Sequence, residues 1–447
     1  MDEPRLKLCR LCGKCSERMD KCSICMTSFK LKWYYCSKSC QVSDWPGHKL
    51  RHKVLDKIKC QCPEISGKKV DFKAIDGFFN ILFEGDLTEA TRRIVAGESV
   101  MAVDEQGFTA LHQAAYFGST KCVEFLIKHA TPELLTKQLP TGQDCLDLAC
   151  QKGNLEVVQL LLREMNQSML RNHWSSLYLA SLQGHIDIVR CLIKAAGKEL
   201  LYVRMDQKRG WNRDLFSDAP TCLDGAVHQG HRRLVKYLLE MGGKRLLFQA
   251  NNRGYTSLHV ACVEGNVELV KMLITAGGEE LYLKRSNTEN NCLDVACMLG
   301  HVDVVKALLD SGGGALLRAS GKDGLTCLHK ACQAGKLEVI KFLLGAHREH
   351  LLFANDSDGG TCMHSAAEAG QLEVVKYLAG VGGKRLLLAL DRMQCSCLHT
   401  AVYFDRADVA CYLAELCTYV SVDLSWISLS HPAGRRGSQS PPRPGGL

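Results

Sequence analysis

Four close pairs of metal-ligand side chains open the sequence: Cys9 with Cys12, Cys22 with Cys25, Cys36 with Cys40, and His48 with His52. Each pair is spaced so that a short turn can aim both side chains at one ion. Tetrahedral zinc takes four such ligands, so eight make two closed structural sites with no open position for catalysis. Four pairs in series suit an interleaved arrangement. Cys9, Cys12, Cys36 and Cys40 then hold one zinc, and Cys22, Cys25, His48 and His52 the other. Cys15, Cys60 and Cys62 are spare thiols able to replace His52. Structural zinc contributes about 10–16 kcal/mol in finger peptides, enough to supply most of the fold of a segment this small. A DNA-reading finger needs about twelve residues between its second cysteine and first histidine, and that spacing is absent.

A second group of chemically capable residues recurs at long intervals: His112, His259, His329, His364 and His399, with Asp147, Asp224 and Asp294 in the same slot elsewhere. Scattered imidazoles suggest metal binding or acid–base chemistry. Exchange with aspartate in one slot suits hydrogen bonding better than catalysis.

These residues must be carried by a repeated element. Aligning TALHQAAYFG (109–118), TSLHVACVEG (256–265), TCLHKACQAG (326–335) and six further copies puts the anchors at Leu111, Leu146, Leu177, Leu223, Leu258, Leu293, Leu328, Met363 and Leu398. The step is 35 residues in six of the eight intervals. Such a period marks a stacked repeat architecture. In each copy Thr or Ser caps a short helix, the anchor and an alanine three residues on share a face, and a glycine suits a left-handed helix end. A second helix with an apolar stripe follows, as in LEVIKFLL (337–344). One such pair cannot bury its own face, so stacking is required. The Leu pairs Leu200/Leu201, Leu246/Leu247 and Leu386/Leu387 follow the second helix and are expected to pack against the next repeat. The fold expected is mainly α, a solenoid of helix-turn-helix repeats behind a small double-zinc finger.

The 24 cysteines divide accordingly, nine between Cys9 and Cys62 and fifteen from Cys122 onward. Cys145, Cys222, Cys292, Cys327, Cys362 and Cys397 precede an anchor. Cys150, Cys262, Cys297 and Cys332 follow the helix alanine. They read as small buried apolar residues. Residues 1–70 carry 16 Lys/Arg against 7 Asp/Glu, so most of the +8 formal charge lies at this end. Duplex binding by this basic segment is an alternative that predicts a steep salt dependence; only weak, nonspecific retention is expected. MDEPRLKLCR has no apolar core of a secretory signal, and no apolar run is long enough for a membrane span. The expected location is cytoplasm, nucleus or both.

Two families are resembled. C-x-x-C-G, C-S-x-C and Y-C-S-K-x-C-Q-x-x-D-W-x-x-H-K, over residues 9–52, resemble the MYND-type zinc finger. The gap between Cys25 and Cys36 is longer than that family shows, and His52 stands where it has cysteine. The resemblance implies a module docking short proline-containing peptides. Trp45 and Gln41 are the candidate groove residues, with Trp45 equally suited to packing over the zinc core. G-x-T-x-L-H-x-A-x-x-x-G, repeated, resembles the ankyrin repeat over about residues 74–420: nine clear copies and a degenerate one near Phe78–Gly97 as an N-terminal cap. The organisation read is a finger at 9–52, a linker at 53–73, the array at 74–420 and a disordered Gly/Pro/Ser/Arg tail at 421–447. PPRP in that tail is a candidate polyproline ligand.

No phosphate-binding loop, dinucleotide turn or nucleophile elbow occurs. The reading is a non-enzymatic, monomeric adaptor. Its array grips a partner protein through the tips Asn251–Arg253, 286–290, 322–323 and 356–358, and its finger recruits another. Trp211 and Phe216, in an insertion at 210–220, are candidate partner contacts. A ubiquitin-ligase or other enzyme-complex component is the rival.

Overall fold

The computed structural model describes residues 7–8, 15–16, 20–21, 34–35, 87–95, 100–101, 103–104, 106–129, 132–170, 173–203, 220–345 and 349–419. The chain divides into two compact units, Met1–Gly77 and Phe78–Leu447. In the first, β1 (Lys7–Leu8) pairs antiparallel with β2 (Cys15–Ser16), Leu8 opposite Cys15. Strand β3 (Asp20–Lys21) pairs antiparallel with β4 (Tyr34–Tyr35), Asp20 opposite Tyr35. β1 also lies beside β4.

The second unit is mainly helical, with nine short first helices that carry the nine anchors among its described residues. The run Ser257–Val263, Cys292–Leu299, Cys327–Gln333 and Cys362–Ala369 shows the pattern, each helix packing on the next. At seven or eight residues none would persist alone in water. Two things hold them. The first is a reciprocal cap: the Thr256 side chain receives the His259 N–H, and the His259 ring receives the Thr256 N–H. The same box forms with Asn291 and Asp294, and with Thr326 and His329. The second is burial. Leu258, Leu293, Leu328 and Met363 are fully buried, as are Ala261, Ala296, Ala331 and Ala366. Each buried anchor contributes about 2–3 kcal/mol, and alanine keeps the helix face thin enough for the next helix to seat.

The second helices close the core from one side. In Val267–Tyr282 the residues Leu269, Val270 and Leu273 are buried, and Glu268 and Lys271 face solvent. Beyond the stripe the chain kinks at Gly278, whose φ of 64° and ψ of −156° belong to glycine, and resumes as a helical turn carrying Leu281 and Tyr282. Gly243 and Gly383 make the same kink before Leu246/Leu247 and Leu386/Leu387. These pairs and Leu200/Leu201 are buried in the common core, as the sequence predicts. Among the described residues no helix is long and apolar enough to cross a membrane.

Candidate functional site

The recurring histidines join repeats. Nδ1 of His259 accepts the Thr256 N–H at 3.2 Å, and Nε2 donates to the Asn290 carbonyl of the next repeat at 3.3 Å. His329 donates likewise to Gly360 at 3.4 Å, and His364 to Cys395 at 3.2 Å. His112 donates to Lys137 at 2.9 Å. Both ring nitrogens are therefore used, which leaves the ring no lone pair for a metal or for proton abstraction. Burial holds His112 and His259 neutral by lowering their pKa values to about 4.

Aspartate in that slot reads a side chain instead of a carbonyl. Asp224 Oδ1 accepts from the Ser257 hydroxyl at 2.6 Å. Asp147 Oδ1 accepts from Ser175 at 2.8 Å and Ser176 at 2.6 Å. Beside it Asp144 caps the helix Cys145–Lys152, and His173 Nδ1 lies 3.5 Å from Asp144 Oδ2. Burial, and then the charge of Asp144, raises Asp147 to about 7; burial raises Asp144 to about 6. Asp294 differs. Its Oδ1 is buried and has no hydrogen-bond partner among the described residues, because Cys327 stands where Ser257 stands one interface pair earlier. Burial raises Asp294 to about 6, against the pull of Arg285 at 3.9 Å.

The ten slot cysteines are core, as read from the sequence, whereas Cys191 and Cys395 are half-buried and Cys411 is exposed. Cys145, Cys150, Cys262, Cys292, Cys297, Cys327, Cys332 and Cys362 are wholly buried. Thiols meet across three successive interfaces, Cys262 with Cys292, Cys297 with Cys327, and Cys332 with Cys362. Burial pushes Cys262, Cys297 and Cys332 well above the ordinary thiol range, the opposite of an activated nucleophile.

What remains for solvent is the row of turn tips. Asn251 Oδ1 accepts the Arg253 and Tyr255 N–H groups at 3.0 and 2.9 Å, and Asp356 Oδ1 those of Asp358 and Gly360 at 2.9 and 2.7 Å. Successive tips are tied together: Asn287 N–H donates to the Arg253 carbonyl at 2.9 Å, Ser357 to Asp323 at 2.9 Å, and Arg392 to Asp358 at 2.8 Å. Lys322 Nζ bridges to Glu289 at 2.9 Å. Asn252, Arg253, Asn287, Thr288, Lys322, Asp323, Ser357 and Asp358 are exposed. Within 286–290 the sequence reading is corrected at both ends. Ser286 and Asn290 are buried, because Ser286 closes its own turn by receiving the Asn290 N–H and sharing a hydrogen bond with the Thr288 hydroxyl.

One set of joining residues escaped the sequence reading. Each stands just before a second helix and reaches back to a carbonyl ending the previous repeat's first helix. Asn154 donates to Ala115 at 2.7 Å, His231 to Leu182 at 3.0 Å, His301 to Val263 at 3.0 Å, and Arg406 to Glu368 at 2.8 Å. Asn, His and Arg share no letter, but all place a donor at the same reach; that was the only signal available.

The candidate zinc ligands Cys9, Cys12, Cys22, Cys25, Cys36, Cys40, His48 and His52 lie outside the described residues, as do Gln41, Trp45, Trp211, Phe216 and the segment 421–447.

A MYND finger model matches residues 9–52. Ankyrin-repeat models match 132–204, 198–285, 223–318 and 347–424, and a second set 88–127 and 293–344. The human "Ankyrin repeat and SOCS box protein 3" is 27% identical over 26% of this chain and 30% of its own length. The Danio rerio "Notch-regulated ankyrin repeat-containing protein B" is 32% identical over 25% of this chain and 92% of its own. This chain thus spans under a third of the human relative. Among solved structures, the human ASB11 ankyrin repeat domain aligns with a TM-score of 0.41 at 22% identity, covering 53% of this chain and 98% of that one. The ankyrin repeat domain of Bcl-3 aligns with a TM-score of 0.38 at 28% identity, covering 44% and 86%.

Proposed function

The chain belongs to the ankyrin-repeat family and carries an N-terminal MYND finger, and from that premise we propose that it is a non-enzymatic adaptor joining two protein partners. The observation that carries this reading is the tip row. Backbone bonds fix it from Arg253 to Asn287, from Asp323 to Ser357 and from Asp358 to Arg392, so it meets a partner without losing conformational freedom. Four of the five slot histidines and two of the three slot aspartates are spent on joining repeats.

The finger is the second docking site, for a proline-containing peptide that Trp45 and Gln41 contact. Two structural zinc ions hold it. The chemistry of the donor set, six thiols and two imidazoles beside spare thiols, fits zinc. The position of β1 beside β4 supports the interleaved assignment, since Leu8 precedes Cys9 and Tyr35 precedes Cys36. Held on one chain, the two sites raise the effective concentration of one partner near the other. The protein acts as a monomer in the cytoplasm or nucleus, without a specific nucleic-acid target.

Affinity capture with the full chain, a Cys36→Ala variant and an Arg253→Glu/Arg392→Glu variant tests this. Each variant should lose its own subset of partners and keep the other's. Both variants retaining every partner, or ubiquitin chains made in vitro only with Cys36 intact, would overturn the proposal.

A further inference from the structure

The last repeat has no neighbour among the described residues, and its far face is apolar. Val402 holds the slot that Cys262, Cys297, Cys332 and Ala367 hold in the preceding repeats. Those four are 0% exposed, whereas Val402 is 53% exposed and the adjacent Tyr403 46%. The anchor Leu398 is only half-buried, where Leu258, Leu293, Leu328 and Met363 are sealed. Ala410, in the second helix Ala407–Tyr419, is likewise partly open in a slot where Val270, Val305, Ile340 and Val375 are fully buried. An array end of this kind needs a cover.

We propose that residues 420–429 of this chain are that cover. The helix ends at Tyr419, and the next ten residues read VSVDLSWISL. They alternate Val420, Val422, Leu424 and Trp426 with small or polar residues, a pattern with one apolar side. They follow Tyr419 directly in sequence, with no linker between. The repeat period also assigns them a place. Counting 35 residues on from Leu387 reaches Val422, so Val422 continues the register of Tyr282, Leu352 and Leu387, each of which packs into the core after its second helix. The Gly/Pro/Ser/Arg composition begins only at about His431.

Amide hydrogen exchange tests this in the full chain, in a chain stopped after Ser430, in one stopped after Tyr419, and in a Trp426→Asp variant of the full chain. Stopping after Ser430 should leave exchange in Cys397–Tyr403 unchanged. Stopping after Tyr419, or Trp426→Asp, should speed it about tenfold or more, as local opening becomes easier. Equal exchange in all four overturns the proposal. So does a full-length dimer that Val402→Asp dissociates, since a second copy would then be the occupant. If the shortened chain fails to fold, acrylamide quenching of Trp426, taken as the difference from Trp426→Phe, decides: shielding supports the cover, and free access refutes it.

Discussion

Cys327→Ser should stabilise this protein at neutral pH, although cysteine-to-serine changes in a core usually do the reverse by burying a hydroxyl. Ser257 places its hydroxyl 2.6 Å from Asp224 Oδ1, and Ser176 does the same for Asp147. Cys327 holds the matching position before Asp294, whose Oδ1 lacks a partner among the described residues. Burial raises the Asp294 carboxyl from 3.8 to about 6, which makes its ionised form about 3 kcal/mol less favourable in the folded than in the unfolded state. A folded-state pKa raised in this way means stability falls as pH rises from about 4 to about 6, and the deficit stays above that. A hydroxyl donating to a carboxylate recovers about 1.5–3 kcal/mol, offset in part by lost thiol packing against Cys297. The net expectation is about 1 kcal/mol of added stability at pH 7.5, shrinking to nothing or reversing by pH 4.5. Urea unfolding followed by circular dichroism at both pH values measures it. A Cys327→Ser chain that is destabilised equally at the two values would refute the reasoning, because the effect would then owe nothing to the charge on Asp294. The converse change, Ser257→Cys, should cost about 1–3 kcal/mol at pH 7.5 by taking the Ser257 hydroxyl away from Asp224 Oδ1.

Gly278 and Gly313 occupy the same repeat slot and should respond oppositely to alanine. At Gly278, where φ is 64°, alanine should cost about 1–3 kcal/mol although the space is open. At Gly313, within the uninterrupted helix Val302–Arg318, it should add about 0.5–1 kcal/mol; urea midpoints of the two variants check the sign. His259 is held neutral with its pKa lowered to about 4, so the stability it contributes is complete above its unfolded value near 6.5 and is lost as pH falls from there toward 4. His259→Ala should therefore destabilise at pH 7.5 but weaken the acid sensitivity in that window, read from unfolding midpoints against pH. Elemental analysis of the purified chain should give two zinc atoms per molecule, with Cys36→Ala losing at least one.

The nine helix pairs were legible in the sequence because each rests on local spacing, but three caps depart from the expected Thr or Ser: Asp144 and Asn291 cap two first helices, and Trp174–Leu182 starts behind His173 with no side-chain cap. The histidine slot was legible as hydrogen-bonding, since its exchange with aspartate suits that role better than acid–base chemistry. What the sequence concealed depends on long reach. Asn154, His231, His301 and Arg406 find carbonyls 38 to 49 residues earlier, and any donor of suitable length serves. The contrast between Gly278 and Gly313 was hidden as well, because paired glycines permit both a kink and a continuous helix, and packing chooses between them. Ser286 and Asn290 sit in a tip by sequence position, yet their hydrogen bonds to their own turn draw them inward.

The two kinds of slot residue give the array a syntax. A histidine reaches a backbone carbonyl, which every successor offers, so a repeat bearing it can precede any other. An aspartate asks for a hydroxyl one residue before the next anchor, and only some successors answer. Excising residues 291–325 would leave His259 facing an acceptable continuation. Excising 256–290 would set Asp224 against Cys292 and take away the hydroxyl it receives from Ser257. Loss, duplication or shuffling of whole units is thus tolerated at some junctions and resisted at others, according to which letter closes the unit before.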